Sequence, residues 1–196
     1  MRLWSLVLAA LLPSLAAPPQ TGSGKVLGAA TAPVTIELFS SFACTHCKEF
    51  HDTLLPRIVK DYVAGGKVCV VSREFFNPSA PGAQDAARYA TAAARIGKYQ
   101  VVSDALFRRQ ADWILNGQVW QIVASVLTLA EQQNVQSLAK DPAVVAEVQR
   151  DQAEAAAAGV SSTPTMLITR GAKRYSFPGV RAYSLIRSLL DDVLSK

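Results

Sequence analysis

Two β-branched runs bracket one helical pattern, and this constrains the fold most. "VTIELF" (34–39) and "KVCVVSREF" (67–75) are apolar and short, the signature of buried strands. Between them, Phe50, Leu54, Ile58 and Val59 recur at helical spacing from Thr45 to Tyr62, and "AGG" (64–66) supplies the stop. Strand, helix and strand in so short a stretch predict a βαβ unit with parallel strands. Pro56 falls inside the helical pattern, so a kink is expected there.

The chain then changes character. From Gly82 to Ala158 it is helix-forming throughout, with runs at "AQDAARYATAAARIG", "YQVVSDALFRRQADWIL", "GQVWQIVASVLTLAEQQ" and "DPAVVAEVQRDQAEAAAAG". Asp141 is a good N-cap ahead of Pro142, and Gly159 is a good stop. Strand character returns in "TMLITR" (165–170) and "KRYSFPG" (173–179), a hairpin turning at Gly171. Residues 181–195 close the chain as an amphipathic helix with Leu185, Leu189, Leu190 and Val193 on one side.

The ends read differently. Residues 1–17 carry Arg2, an apolar run from Leu3 to Leu12, a break at Pro13, and small residues suited to cleavage after residue 16 or 17. This is a signal-peptide pattern, shorter than the roughly 20 apolar residues of a membrane span. Residues 18–33 are rich in Pro, Gly, Ser and Thr, as in a flexible N-terminal segment. The expectation is a soluble exported protein. The chain has 196 residues, half of them hydrophobic, enough for one domain with a proper core. Its net charge of +5 is scattered and without aromatic interleaving, so no nucleic-acid partner is expected.

There are three cysteines, Cys44, Cys47 and Cys69. Cys69 lies in an apolar strand and reads as a small core residue. Cys44 and Cys47 fall where the first strand passes into the helix. Unpaired N–H groups and the helix dipole favour an anion there, so Cys44 should have a lowered pKa. Cys47, one turn on, is less exposed. The pair suits thiol–disulfide exchange, with Cys44 attacking and Cys47 resolving. His46 between them can donate a hydrogen bond to the thiolate or place charge beside it. A metal site is the competing reading: Cys44, Cys47 and His51 fall on one helical face and would suit Zn or Cu(I) in a metallochaperone. Against it, no second cysteine or histidine pair supplies a fourth ligand.

The segment "IELFSSFACTHCKEFH" resembles the strand–active-site–helix segment of the DsbA-like thiol–disulfide oxidoreductases. "LFRRQADW" (106–113) is similar to that family's helical insert, and "GVSSTPT" (159–165) to its cis-proline loop. The resemblance runs from Val34 to the C-terminus. It implies an α/β chain with a thioredoxin fold, a central mixed β-sheet flanked by helices, and an inserted all-helical subdomain. Residues 34–81 would form the N-terminal βαβ part, 82–158 the insertion, and 159–196 the C-terminal ββα part.

The resemblance also implies site residues. Cys44 and Cys47 form the redox disulfide, with Thr45 and His46 between them. Thr163 and Pro164 form the cis peptide beside Cys44 and pair with an extended substrate. Glu37 matches an acidic residue buried beneath the site, able to pass a proton to Cys47. No cofactor and no metal are implied. The implied partners are reduced or unfolded exported polypeptides, and a membrane quinone-linked oxidase of the DsbB type that restores the disulfide. The implied setting is the periplasm, as a monomer. Thr45-His46 stands where the best-known members have Pro-His, and Thr163 where many have Val. Donation of the Cys44–Cys47 disulfide to exported proteins is the favoured expectation, with a periplasmic reductase or isomerase as the alternative.

Overall fold

The computed structural model describes residues 24–195; the expected signal peptide at 1–17 lies outside them. The β-branched runs form a five-stranded mixed sheet, in the order β1-β3-β2-β4-β5 among the described residues. Its strands are β1 (Val26–Leu27), β2 (Val34–Ser40), β3 (Val68–Glu74), β4 (Thr165–Arg170) and β5 (Lys173–Pro178). Strands β2 and β3 are parallel, with Ile36 opposite Val70. The β1–β3, β2–β4 and β4–β5 pairs are antiparallel.

Alternation along β2 divides the core. Val34, Ile36 and Leu38 face one side, where they meet Phe50, Leu54 and Ile58 of the following helix and Ile186 and Leu190 of α9 (Tyr183–Ser195). Phe39 faces the other side and packs on Leu167, Val160 and Ala155. Ala155 belongs to α8 (Pro142–Ala157), which Asp141 caps by accepting a hydrogen bond from the Ala143 N–H at 2.7 Å.

The helix after β2 is interrupted where Pro56 predicts trouble, but as a change of winding. It runs as α1 (Thr45–Glu49), a π-turn segment (Phe50–Leu54), α2 (Leu55–Ile58) and a second π-turn segment (Val59–Val63). The Leu55 N–H donates to Phe50 O, five residues back. Pro56 has no N–H and its ring needs room on the preceding turn. The wider winding just before it supplies that room.

Residues Ala83–Ala157, between β3 and β4, are helical: α3 (Ala83–Ala94), α4 (Tyr99–Arg108), α5 (Gln110–Trp113), α6 (Val119–Ala124), α7 (Leu129–Leu138) and α8. They bury their own cluster, including Val102, Leu106, Trp113 and Val123, and that cluster takes in Phe42 and Cys47. The sequence pattern is coarser than the structure here. "YQVVSDALFRRQADWIL" breaks at Arg109, whose backbone (φ −103°, ψ 23°) leaves the helical region. "GQVWQIVASVLTLAEQQ" breaks before Thr128, which forms a capping box with Glu131. That Thr-x-x-Glu spacing is a start signal visible in the sequence.

The N-terminal segment needs correction within the described residues. It is not simply a flexible arm: Val26 and Leu27 pair with Val71 and Val70. Lys25 is only 1% exposed, its ammonium 2.6 Å from Asp151 and 3.2 Å from Glu147. A buried cation between two carboxylates ties this segment to α8.

Candidate active site

Cys44 is the N-cap of α1, in an extended conformation, and its carbonyl accepts the first intrahelical bond from the Lys48 N–H at 3.1 Å. The side chain is partly exposed, and that of Cys47 is buried; both are free thiols. Thr45 and His46 lie exposed between them. The His46 ring is 72% exposed, with Nδ1 3.6 Å from Glu49 Oε2. The segment resting on Cys44 from the far end of the chain is the 159–165 loop. Its Thr163–Pro164 peptide is cis, and the Thr163 carbonyl accepts from the Cys44 thiol at 3.5 Å.

The two sulfurs are electrostatically unlike. A hydrogen bond from the Cys47 thiol, with others from the Thr163 side chain and the Cys47 and His46 N–H groups, brings the Cys44 pKa down to about 5 against the opposing effect of partial burial. Burial drives the Cys47 thiol the opposite way, and the neighbouring Cys44 charge adds to it. The Ser41 N–H donates to Cys47 Sγ at 3.5 Å. The arrangement is one thiolate at an open edge and one thiol sealed behind it.

Glu37 does not reach this pair. Its parity on β2 sends it to the face that α8 covers, opposite Leu38 and Ser40. There Glu37 Oε1 accepts from Arg73 at 3.0 Å and Oε2 from Arg174 at 2.6 Å. The carboxylate that shares a space with Cys47 is Glu74, at the end of β3. Cys47, Glu74, Ser40, Ser72 and Tyr99 line one cavity of about 20 Å³, room for a single water molecule. Burial pushes the Glu74 carboxyl up to about 8, with Lys25 opposing. Its Oε1 accepts from the Tyr99 hydroxyl at 3.2 Å. "SREF" in the sequence shows an acid at a strand end, but its partners come from elsewhere in the chain.

His51 lines the same cavity, but its ring nitrogens are engaged by other side chains. Its Nε2 is 2.9 Å from Asp104 Oδ1, Nδ1 is 3.2 Å from Asp52, and the ring lies on Phe107 with centroids 4.6 Å apart. The suggested Cys44, Cys47 and His51 ligand set is therefore not assembled. Among the described residues no three His, Cys, Asp or Glu side chains are grouped to hold a metal ion. Cys69 is fully buried, with its thiol on Thr35 Oγ1 at 3.5 Å.

Beside Cys44 runs an open groove of about 300 Å³. Phe75, Phe76 and Ala80 form apolar wall, and Asn77, Ser161 and Ser162 are polar.

The comparisons agree with this architecture. A family model described as Thioredoxin matches residues 20–176. A Rickettsia bellii (strain RML369-C) protein named as a protein-disulfide oxidoreductase is 23% identical over 101 residues, which are 52% of this chain but 38% of that protein. The chain thus matches well under half the length of that curated relative. Among solved structures, Wolbachia pipientis alpha-DsbA1 superposes with a TM-score of 0.75 at 21% identity, over 90% of this chain and 93% of its own. For oxidised BdbD from Bacillus subtilis the TM-score is 0.73 at 21% identity, covering 91% and 96%. Pseudomonas aeruginosa DsbA2 gives 0.72 at 21%, covering 90% and 97%. The chain belongs to the thioredoxin family, and its fold is the helix-inserted form of the DsbA structures.

Proposed function

We propose that this chain is a thiol–disulfide oxidoreductase that donates a Cys44–Cys47 disulfide to exported proteins. The observation that carries the reading is the split between the two sulfurs: Cys44 partly open with its pKa near 5, Cys47 sealed and pushed up. A substrate thiolate attacks Cys44 Sγ, the Cys44–Cys47 bond breaks, and Cys47 leaves as a thiolate. The mixed disulfide forms at the only sulfur of the pair that faces the groove. A second substrate thiolate then attacks the substrate sulfur, and Cys44 leaves. Two electrons pass from substrate to enzyme, and the low pKa of Cys44 makes it the good leaving group of the second step.

Cys47 must take a proton as it leaves. Glu74 is protonated near neutral pH and shares the cavity with Cys47, so it is the donor, through one water molecule's space. Thr163 and Pro164 support an extended substrate chain along the groove. Thr45 and His46 are exposed between the two cysteines, where a substrate chain bonded to Cys44 would meet them. A membrane quinone-linked oxidase of the DsbB type would reoxidise the dithiol, in the periplasm, with the enzyme acting as a monomer. Among the described residues no helix is long and apolar enough to cross a membrane.

Equilibration of the protein against glutathione buffers, followed by thiol trapping, tests the reading. A Cys44–Cys47 potential well above the glutathione poise is expected; one well below it would make the protein a reductase. Cys47→Ser should accumulate covalent substrate adducts in cells and Cys44→Ser should not.

A further inference from the structure

Gln110 is the first residue of α5 and is only 3% exposed. The chain turns at Arg109, and the turn aims the Gln110 amide out of the helical block at the loop before α1. Its Nε2 donates to Phe42 O at 2.6 Å and to Cys44 O at 3.1 Å. These acceptors are carbonyls, so only the amide nitrogen can face them, and both of its N–H bonds are used on one loop.

We propose that Gln110 is the positioning residue through which the helical block holds Cys44 over the N–H groups of its own helix. The inference rests on the reading of Cys44 as the exchanging thiolate. The physical chain is short. The Cys44 sulfur is stabilised as an anion partly by the N–H groups of His46 and Cys47. Those N–H groups serve it only if the Cys44 peptide keeps its orientation. One side of that peptide's carbonyl is held by Lys48, within the helix, and the other by Gln110. Phe42, packed on Phe107 of α4 with centroids 4.9 Å apart, fastens the same loop a second time. A neutral amide suits the task. A carboxylate would oppose two carbonyl oxygens and the thiolate, whereas an apolar side chain would leave the buried Phe42 carbonyl without its donor.

The test is the pH dependence of Cys44 alkylation by iodoacetamide in the reduced full chain. Gln110→Met keeps the size and removes the donors. Its titration midpoint should rise by roughly half to one pH unit, the worth of one ordinary hydrogen bond. Gln110→Glu should raise it further, and covers the case in which the Met variant does not fold. Trp113→Phe is the structural control: it removes the bond from Trp113 Nε1 in α5 to Leu106 O in α4 and leaves the Gln110 amide in place. Its midpoint should stay at the wild-type value. An unmoved midpoint in both Gln110 variants overturns the inference, and so does an equal rise in Trp113→Phe. A wild-type midpoint near that of an ordinary thiol would instead sink the oxidoreductase reading, and this inference with it.

Discussion

The Cys44 thiol and the Thr163 carbonyl meet at 3.5 Å across 119 residues of chain. The contact closes the site between the first helix and the loop entering β4. Any group bonded to Cys44 must therefore lie along that loop. Thr163→Val removes the side chain that helps stabilise the Cys44 thiolate. The alkylation midpoint of Cys44 should rise in that variant. A midpoint unchanged or lowered would show that the Thr163 side chain does not act on the sulfur.

The depressed pKa of Cys44 makes the reduced state pH-sensitive in a defined direction. The ordinary thiol value is 9.0 and the folded value about 5. The stabilisation of the reduced protein is therefore complete above pH 9 and is lost as pH falls through 5. The oxidised protein has no thiolate and lacks this contribution. Denaturant unfolding of both forms should show the reduced form gaining on the oxidised one as pH climbs from 5 to 9. Over the same window the potential should fall by about 30 mV per pH unit, one proton for two electrons. A slope near twice that at pH 7 would mean that Cys44 is protonated there.

Glu74 should cost stability at neutral pH. Its folded pKa is raised from 4.5 to about 8. The unfolded chain releases this proton first, so the penalty grows from about pH 4.5 and levels off above 8. Glu74→Gln retains an acceptor for Tyr99 and cannot ionise. It should raise Tm at pH 7–8, by about 2–4 °C for each kcal/mol relieved, and leave it unchanged below pH 4. The same variant should slow release of Cys47 from the disulfide. A lower Tm at pH 8 than the wild type would contradict the assignment.

Glu37 should matter to stability and not to the thiols. It is 7% exposed and lies between Arg73, itself 4% exposed, and Arg174. Glu37→Ala leaves the Arg73 guanidinium short of one partner, with Asp151 and Glu154 still paired to it, and should cost about 1–3 kcal/mol in chemical denaturation. The Cys44 alkylation midpoint should not move. If it does, a path from Glu37 to the sulfur exists that the geometry lacks.

Much of this was legible in the residues. β-Branched runs at 34–39 and 67–75 fix the two central strands because a short apolar run has few other places to lie. The cysteines follow a strand and begin a helix, which sets their unequal exposure before any packing is known. The parity of β2 was readable too: Glu37 is out of phase with Val34, Ile36 and Leu38, which argues against a place under Cys47. Periodicity failed in the helical block, where the breaks at Arg109 and Thr128 depend on caps and on contacts outside the helix.

By itself the sequence determined what local chemistry determines: strand, helix and turn, and a thiol pair at a helix N-terminus. The tertiary structure decided the company each group keeps. Glu74 rather than Glu37 lines the cavity with Cys47, Asp104 engages the His51 ring, Gln110 reaches the Cys44 carbonyl, and Lys25 is buried on Asp151. These pairs are separated by 27 to 126 residues. Periodicity and spacing report on neighbours within a turn or two. Partners at such separations meet only when the whole chain has closed, and burial then sets which of them stay charged.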